Sequence, residues 1–302
     1  MSDISTLLKT AAPSISVNKR GELDCLEVRH PAFSADLLLQ GAQLLHYAPA
    51  GEESWLWLSD SVEYKQGTSL RGGIPLCWPW FGNATMNPDA VKHHIADAEQ
   101  APAHGFARTR IWSLAEAYED NDEVVITLTL DDCQHPLWQA DLAVEAEFRF
   151  TASSVSVVLA TTNKGETAVS FSQALHTYFP TSDIHNTRIS GFDGESYLET
   201  LEGWQRKTQQ GDISFGGETD RIYFGEETLS LITPKHTTDL SCQGSHSAVV
   251  WNPWIEKSLR LSQFAADDYQ RMFCVETANA ADDAVTLAAG DEHVLCMLLT
   301  RR

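Results

Sequence analysis

The stretch DLAVEAEFRF, residues 141–150, alternates without a break. Leu142, Val144, Ala146, Phe148 and Phe150 fall on one face, and Asp141, Ala143, Glu145, Glu147 and Arg149 on the other. Successive side chains of an extended chain point to opposite sides, so this pattern predicts a half-buried antiparallel strand. EVVITLTLDD (123–132) alternates in the same way through Ile126, Leu128 and Leu130, and SSVSVVLATTN (153–163) and HVLCMLLT (293–300) are further β-rich runs. The turn clusters EDND (119–122), TASS (151–154) and NKGE (163–166) separate such runs, and the first two with their flanks predict a meander. Helical patterns are scarce. DISTLLKT (3–10) predicts a short helix, and residues 253–272 predict either another helix or a long ordered connection. No β–α–β rhythm is present, which argues against a doubly wound sheet or a TIM barrel. The expected fold is all-β, a large antiparallel β-sandwich with few short helices. No linker breaks the chain, so one domain over 1–302 is expected, with 1–20 as a peripheral N-terminal segment.

Composition narrows the function. The 302 residues are 43% hydrophobic, enough for a sizeable core. Lys+Arg number 21 against 42 Asp+Glu, a formal charge of −21. Such a surface repels phosphate backbones and anionic lipids, so neither nucleic acid nor a membrane is expected as a partner. An anionic ligand would need a local cluster of cations. The six cysteines form no C-x-x-C pair, and the simplest expectation is buried thiols in a reducing compartment, although three disulfides stay open. The first residues carry neither a basic start nor a long apolar run, and no segment is long and apolar enough to span a bilayer. A cytoplasmic location is expected.

SLRGGIPLCWPWFG (69–82) is unlike ordinary scaffold. Pro75 and Pro79 interrupt any strand ladder. Gly72 and Gly73 permit positive φ and close backbone approach, and Arg71 beside them offers a planar fork suited to phosphate or carboxylate. The plainer reading is a glycine turn next to a solvated arginine. Trp78, Trp80 and Phe81, with Trp251 and Trp254 further on, are either core or flat walls for a sugar. Residues 82–103 follow as a loop of about 20 residues, a length often associated with function.

Three titratable positions stand out. AHGFAR (103–108) places His104 and Arg108 on one side of an extended segment, and ALHTYF (174–179) sets His176 among apolar and aromatic neighbours. FCVETAN (273–279) sets Glu276 in an apolar strand, on the same face as Cys274. Each has a structural reading: a satisfied buried histidine, or a paired or edge-strand carboxylate. Each also has a chemical one. A partnered histidine exchanges protons near neutrality, and burial raises a carboxyl toward the range of a general base. The eleven histidines show no metal-ligand spacing, and no nucleophile elbow or Walker loop occurs, so no protein-bound metal is expected.

Taken together, RGGIPLCWPWFG, AHGFAR, ALHTYF, ETDRIYF, VVWNPWIEKS and CVETAN resemble, in order across about residues 25–300, the hexose-6-phosphate mutarotases (glucose-6-phosphate 1-epimerases) of the galactose-mutarotase-like superfamily. The resemblance implies a β-supersandwich with an open cleft, no cofactor, and a small phosphosugar as the partner, with no obligate protein partner indicated. It implies His176 as the general acid at the ring oxygen and Glu276 as the general base at the anomeric hydroxyl. It further implies His104 and Asp220 as sugar contacts, and Arg71 and Arg108 as the phosphate grip. Some members carry glutamine just before the histidine–glycine pair, where this chain has Ala103. On this reading residues 69–82 form a rigid cleft wall, with Arg71 and the glycine backbone on the phosphate and the aromatic rings shaping the sugar site. The competing expectations are a non-catalytic carbohydrate-binding protein on the same scaffold and a mutarotase of neutral aldoses.

Overall fold

The computed structural model describes residues 8, 11–225 and 228–302. Two large antiparallel sheets dominate it. The first runs in the order Gln205–Thr208, Ser196–Glu199, Thr219–Phe224, Ser247–Asn252, Met272–Asn279, Gln173–Leu175, Leu76–Cys77, and Tyr178–Pro180 also pairs with Met272–Asn279. The second, nine-stranded, runs Ile213–Ser214, Arg188–Ser190, Leu229–Ile232, Thr237–Gln243, Glu292–Arg301, Ser154–Asn163, Leu142–Thr151, Glu123–Thr129, Ser113–Glu119. A four-stranded meander over Ile15–Pro49 and a two-stranded pair, Val169–Phe171 with Val285–Leu287, complete the β-structure.

The alternation seen in 141–150 is realised as the strand Leu142–Thr151, whose Leu142, Val144, Ala146, Phe148 and Phe150 are buried. Its neighbour Ser154–Asn163 alternates in phase, with Val155, Val157 and Leu159 fully buried. The turns at 119–122, 151–154 and 163–166 lie between strands, as their composition predicts. The segment 253–272 divides into a helix, Trp254–Ser258, a stretch of turns, and a 3₁₀ turn, Asp268–Gln270. The helix expected over 3–10 lies outside the described residues except for Leu8. From 15 to 20 the N-terminal segment forms the edge strand of the meander. Among the described residues no helix is long and apolar enough to cross a membrane.

Met272–Asn279 is buried at all eight positions. It is central in its sheet and covered on both sides. Phe273 and Val275 belong to the main core, while Cys274 and Glu276 face the other way. That second side would be open to water in a simple sandwich. Here loops stand over it, among them the segment that carries Phe81, Asn87 and His104 and those that carry Trp204 and Leu261.

In that cover the glycines have a packing role, and neither Gly72 nor Gly73 lines the cavity described below. Gly72 lies at φ +122° and Gly73 at φ +63°. A Cβ on Gly73 would come 2.1 Å from the Leu44 carbonyl oxygen, and one on Gly72 would come 2.5 Å from Leu58 Cα. The Gly73 N–H donates to the Trp57 carbonyl at 2.7 Å. Gly105, φ +68°, would place its Cβ 2.0 Å from the Trp78 carbonyl oxygen, so only glycine lets residues 104–106 lie against Trp78. The loop 82–103 has structure of its own, a 3₁₀ turn Ala84–Met86 and a helical turn Asp89–Lys92. The Asn87 side-chain amide donates to the Phe81 and Asn83 carbonyls, which ties that loop to the cover.

Gly73→Ala combines left-handed backbone with a backbone clash, so it is expected to lose about 2–4 kcal/mol of stability. Gly51 shares a positive φ, +82°, but has open space around its Cβ position. Gly51→Ala carries only the backbone term and is expected to lose about 1 kcal/mol. Urea unfolding midpoints of the two variants test this; equal losses would contradict the packing role.

Candidate active site

The pairing register builds the site. Leu175 pairs with Thr277, and Tyr178 with Cys274. The position between them sets His176 directly across from Glu276. The next strand continues the row, because Glu276 pairs with Val249 and Val249 with Ile222. A parallel row one step along the sheet reads Tyr178, Cys274, Trp251, Asp220. Since i and i+2 share a face, both rows present their side chains on the side away from the main core. The result is a patch of sheet that sets His176 beside Glu276, with Asp220 two strands away in the neighbouring row.

A cavity of about 450 Å³ stands over this patch, and Arg71, His104, His176, Asp220 and Glu276 all line it. Five of the six positions singled out in the sequence therefore converge. Arg108 does not line it; its Nη2 donates to the Ala103 carbonyl at 2.7 Å at the edge of the site. Its charge still reaches inward and acts on both histidines. Arg71 is held by its Nε–H donating to the Ser262 carbonyl at 3.3 Å.

The aromatic expectation divides. Trp78 and Trp80 are fully buried core residues, with their indole N–H groups donating to Thr161 Oγ1 and the Pro102 carbonyl. They do not line the cavity, which corrects the reading of the whole 69–82 segment as a sugar wall. Phe81 and Trp251 do line it, whereas Trp254 packs against His185 and Tyr269 instead. Trp204 and Lys257, which the sequence reading passed over, are also in the lining. Lys257 lies 3.6 Å from Asp220 and 3.0 Å from Glu218. It sits within a quoted motif, but a lone lysine near an acid has no distinguishing sequence signal.

His104 is aimed by its backbone. Its φ is +65°, its N–H donates to the Gly82 carbonyl at 2.8 Å, and its Nδ1 accepts from the Gly82 N–H at 3.3 Å. An accepting Nδ1 leaves the proton of the neutral ring on Nε2. The His104 and His176 rings are 5.4 Å apart.

His176 Nε2 and Glu276 Oε1 are 3.5 Å apart, with 8% and 2% of the residues exposed. Burial, with the charges of Arg108 and Arg71, pushes the His176 imidazole down to about 3. Burial, reinforced by Asp220, pushes the Glu276 carboxyl well above the usual range. Asp220 is itself raised by burial, with Lys257 opposing. His104 is pushed well below the imidazole value by burial and then by Arg108. Both shifts run the same way for the pair: they favour the proton on the carboxyl and disfavour it on the imidazole. Moving that one proton across gives an imidazolium beside a carboxylate with no change in total charge, so acid and base can be generated together. Two atoms record what the arrangement costs. His176 Nδ1 and Glu276 Oε2 are buried with no hydrogen-bond partner among the described residues.

A second cavity, of about 360 Å³, lies between the ends of the two large sheets. Its cations are already paired, Lys235 with Glu53, Arg271 with Asp268 and Arg301 with Glu52. It brings no titratable pair of the kind just described.

The aldose 1-epimerase family matches residues 24–300. An Escherichia coli (strain K12) protein named "Putative glucose-6-phosphate 1-epimerase" is 33% identical over 282 residues, covering 91% of this chain and 90% of that one. A plant protein of the same name, from Cenchrus ciliaris, is 32% identical over 311 residues, covering 96% and 86%. The crystal structure of a Salmonella typhimurium protein described as a "putative mutarotase (YeaD)" superposes with a TM-score of 0.84 at 30% identity, covering 96% of this chain and 94% of that one. With the family match spanning most of the chain and relatives at 32–33% identity covering more than nine-tenths of it, the chain belongs to the aldose 1-epimerase family.

Proposed function

We propose that the protein interconverts the α and β anomers of a hexose 6-phosphate, glucose 6-phosphate foremost, by opening and reclosing the sugar ring. The observation that carries this reading is the His176–Glu276 pair, a buried acid and base set across one strand pairing, in a cavity that Arg71 also lines. The names of the E. coli and C. ciliaris relatives supply the substrate.

The reaction suits the pair. Ring opening removes the proton from the anomeric hydroxyl, forms the C1 carbonyl, breaks the bond from C1 to the ring oxygen, and protonates that oxygen. Glu276 as carboxylate takes the first proton and His176 as imidazolium gives the second. Both oxygens are bonded to the same carbon, so the two groups must lie close together, as they do at 3.5 Å. After rotation about C1–C2, the carbonyl takes a proton back from Glu276 while His176 recovers one from the attacking hydroxyl. The pair ends as it began, and no redox or nucleotide partner enters. Each positioned proton-transfer group contributes about 10²–10⁴-fold. His104, its Nε2–H free to donate, and Asp220 hold hydroxyls of the sugar.

Arg71 and Arg108 supply the local positive charge that a dianion needs near a chain of net charge −21. A mutarotase of neutral sugars has no use for them, and a mere binding protein gains nothing from a buried pair with orphaned atoms. The reading keeps the cytoplasmic location, where Cys25, Cys77 and Cys274, buried and free, stay reduced.

Anomer exchange followed by NMR at micromolar protein tests the reading. Exchange of α-glucose 6-phosphate is expected to accelerate strongly and that of α-galactose little. Acceleration of neither favours the binding protein, and acceleration of galactose alone overturns the phosphate assignment. Glu276→Gln is expected to abolish turnover while leaving phosphosugar binding measurable. The same variant tests the electrostatics. Glu276 holds its proton more tightly folded than unfolded, so the wild type loses stability as pH rises above the ordinary carboxyl value, by about 1.4 kcal/mol per unit until its raised value is passed. Glu276→Gln escapes that loss. Its melting temperature is expected to match the wild type near pH 4 and to exceed it by several degrees at pH 7. A variant less stable than the wild type at pH 7 would remove Glu276 from this role.

A further inference from the structure

A histidine that shuttles protons is usually oriented by a hydrogen bond on its second ring nitrogen. His176 has none among the described residues, because Nδ1 is buried without a partner. Something else holds the ring. The Tyr178 ring stacks on it with centroids 4.8 Å apart and planes 6° from parallel. Trp57 stacks on Tyr178 at 5.8 Å, and Trp251 stands edge-on to both Tyr178 and His176 at 6.3 Å. This is a rigid aromatic sandwich, and Tyr178 is only 2% exposed. It follows from the strand, since residues 176 and 178 share one face. The other end of the tyrosine lies toward Arg71: the Tyr178 N–H donates to the carbonyl of Gly73, two residues from Arg71, at 3.0 Å, and the Arg71 charge acts on the tyrosine hydroxyl. Arg71 has one further hold, the Ser262 carbonyl.

Resting on the functional reading above, we infer that Tyr178 is a positioning residue with two separable tasks: its ring aims the His176 imidazole, and its hydroxyl aims Arg71 at the phosphate. One side chain thereby spans the acid at the reacting end of the sugar and the cation at its ester end. The two tasks fall on different kinetic constants. Removing the hydroxyl leaves the stack intact and loosens only the phosphate grip. Removing the ring frees the imidazole and slows the proton transfers whatever the sugar.

Steady-state anomerisation of glucose 6-phosphate and of glucose tests this with two variants. Tyr178→Phe is expected to raise KM for glucose 6-phosphate about 10-fold, as for one hydrogen bond to a charged group, with kcat within about 2-fold and glucose kinetics unchanged. In an Arg71→Ala background the same change is expected to add nothing. Tyr178→Leu is expected to lower kcat for both sugars by about 3- to 10-fold, the range of a lost aromatic stack. Circular dichroism melts of both variants confirm folding, and Tyr178→Phe, nearly isosteric, carries the test alone if Tyr178→Leu does not fold. An active wild type together with a Tyr178→Phe variant whose KM is unchanged, or changed equally for both sugars, would overturn the inference. A wild type inactive on glucose 6-phosphate would instead remove the functional reading, and this inference with it.

Discussion

The antiparallel register between Gln173–Leu175 and Tyr178–Pro180 on one side and Met272–Asn279 on the other is the constraint on which the site depends. Side-chain direction along a strand repeats every two residues, so a slip of one residue by either strand would turn its own member of the pair, His176 or Glu276, toward the apolar core. The register is held from the core side. Phe273 and Val275 must face inward, with Phe273 stacked on Phe179 at 5.6 Å. Every residue that satisfies the core thus helps place a polar partner on the opposite face. The register therefore keeps the His176 imidazole and the Glu276 carboxyl facing each other although His176 Nδ1 and Glu276 Oε2 have no hydrogen-bond partner among the described residues.

The same arrangement is costly. A glutamate 2% exposed and a histidine 8% exposed, each with an atom left without a partner, lower stability at neutral pH. No cross-strand aromatic or β-branched pair would carry that penalty. The fold bears it through the rest of the strand, all of which is buried, and through the glycine-tight cover of residues 69–106. That cover also removes bulk water from the sheet face, which strengthens every charge interaction within the cavity. Packing by Gly72, Gly73 and Gly105 therefore contributes to the chemistry indirectly, through dryness and shape.

Much of the fold was legible in the sequence because its signals are local. Alternation in 141–150 and the turn clusters at 119–122 and 151–154 depend on near neighbours only. The candidate site was legible to the extent that strand parity is local too: Cys274 and Glu276 share a face by counting. What counting could not give is which strands meet. That His176 faces Glu276 across 100 residues of sequence is a tertiary fact, and the short motifs reached it only through resemblance to a family. The errors follow the same line. Trp78, Trp80 and Phe81 looked alike as a cluster, but residues 78–82 turn, and only Phe81 reaches the cavity. Arg108 was paired with His104 on the assumption of an extended segment; the chain instead enters a 3₁₀ turn at Ala107–Thr109, which carries the guanidinium back to Ala103.

The two arginines then take on a second meaning. In the structure their charge works against the proposed acid, since both help hold the His176 imidazole unprotonated. The phosphate of the proposed substrate is a dianion, and its arrival cancels much of that field. Cancelling the field favours moving the pair's single proton from Glu276 to His176, which is the state that ring opening requires. A neutral sugar of the same shape brings no such compensation. Phosphate recognition on this reading does more than concentrate the substrate, because the group farthest from the reacting carbon prepares the acid that acts there. Selectivity built this way appears in the chemical step as well as in binding, which is how remote binding interactions raise turnover.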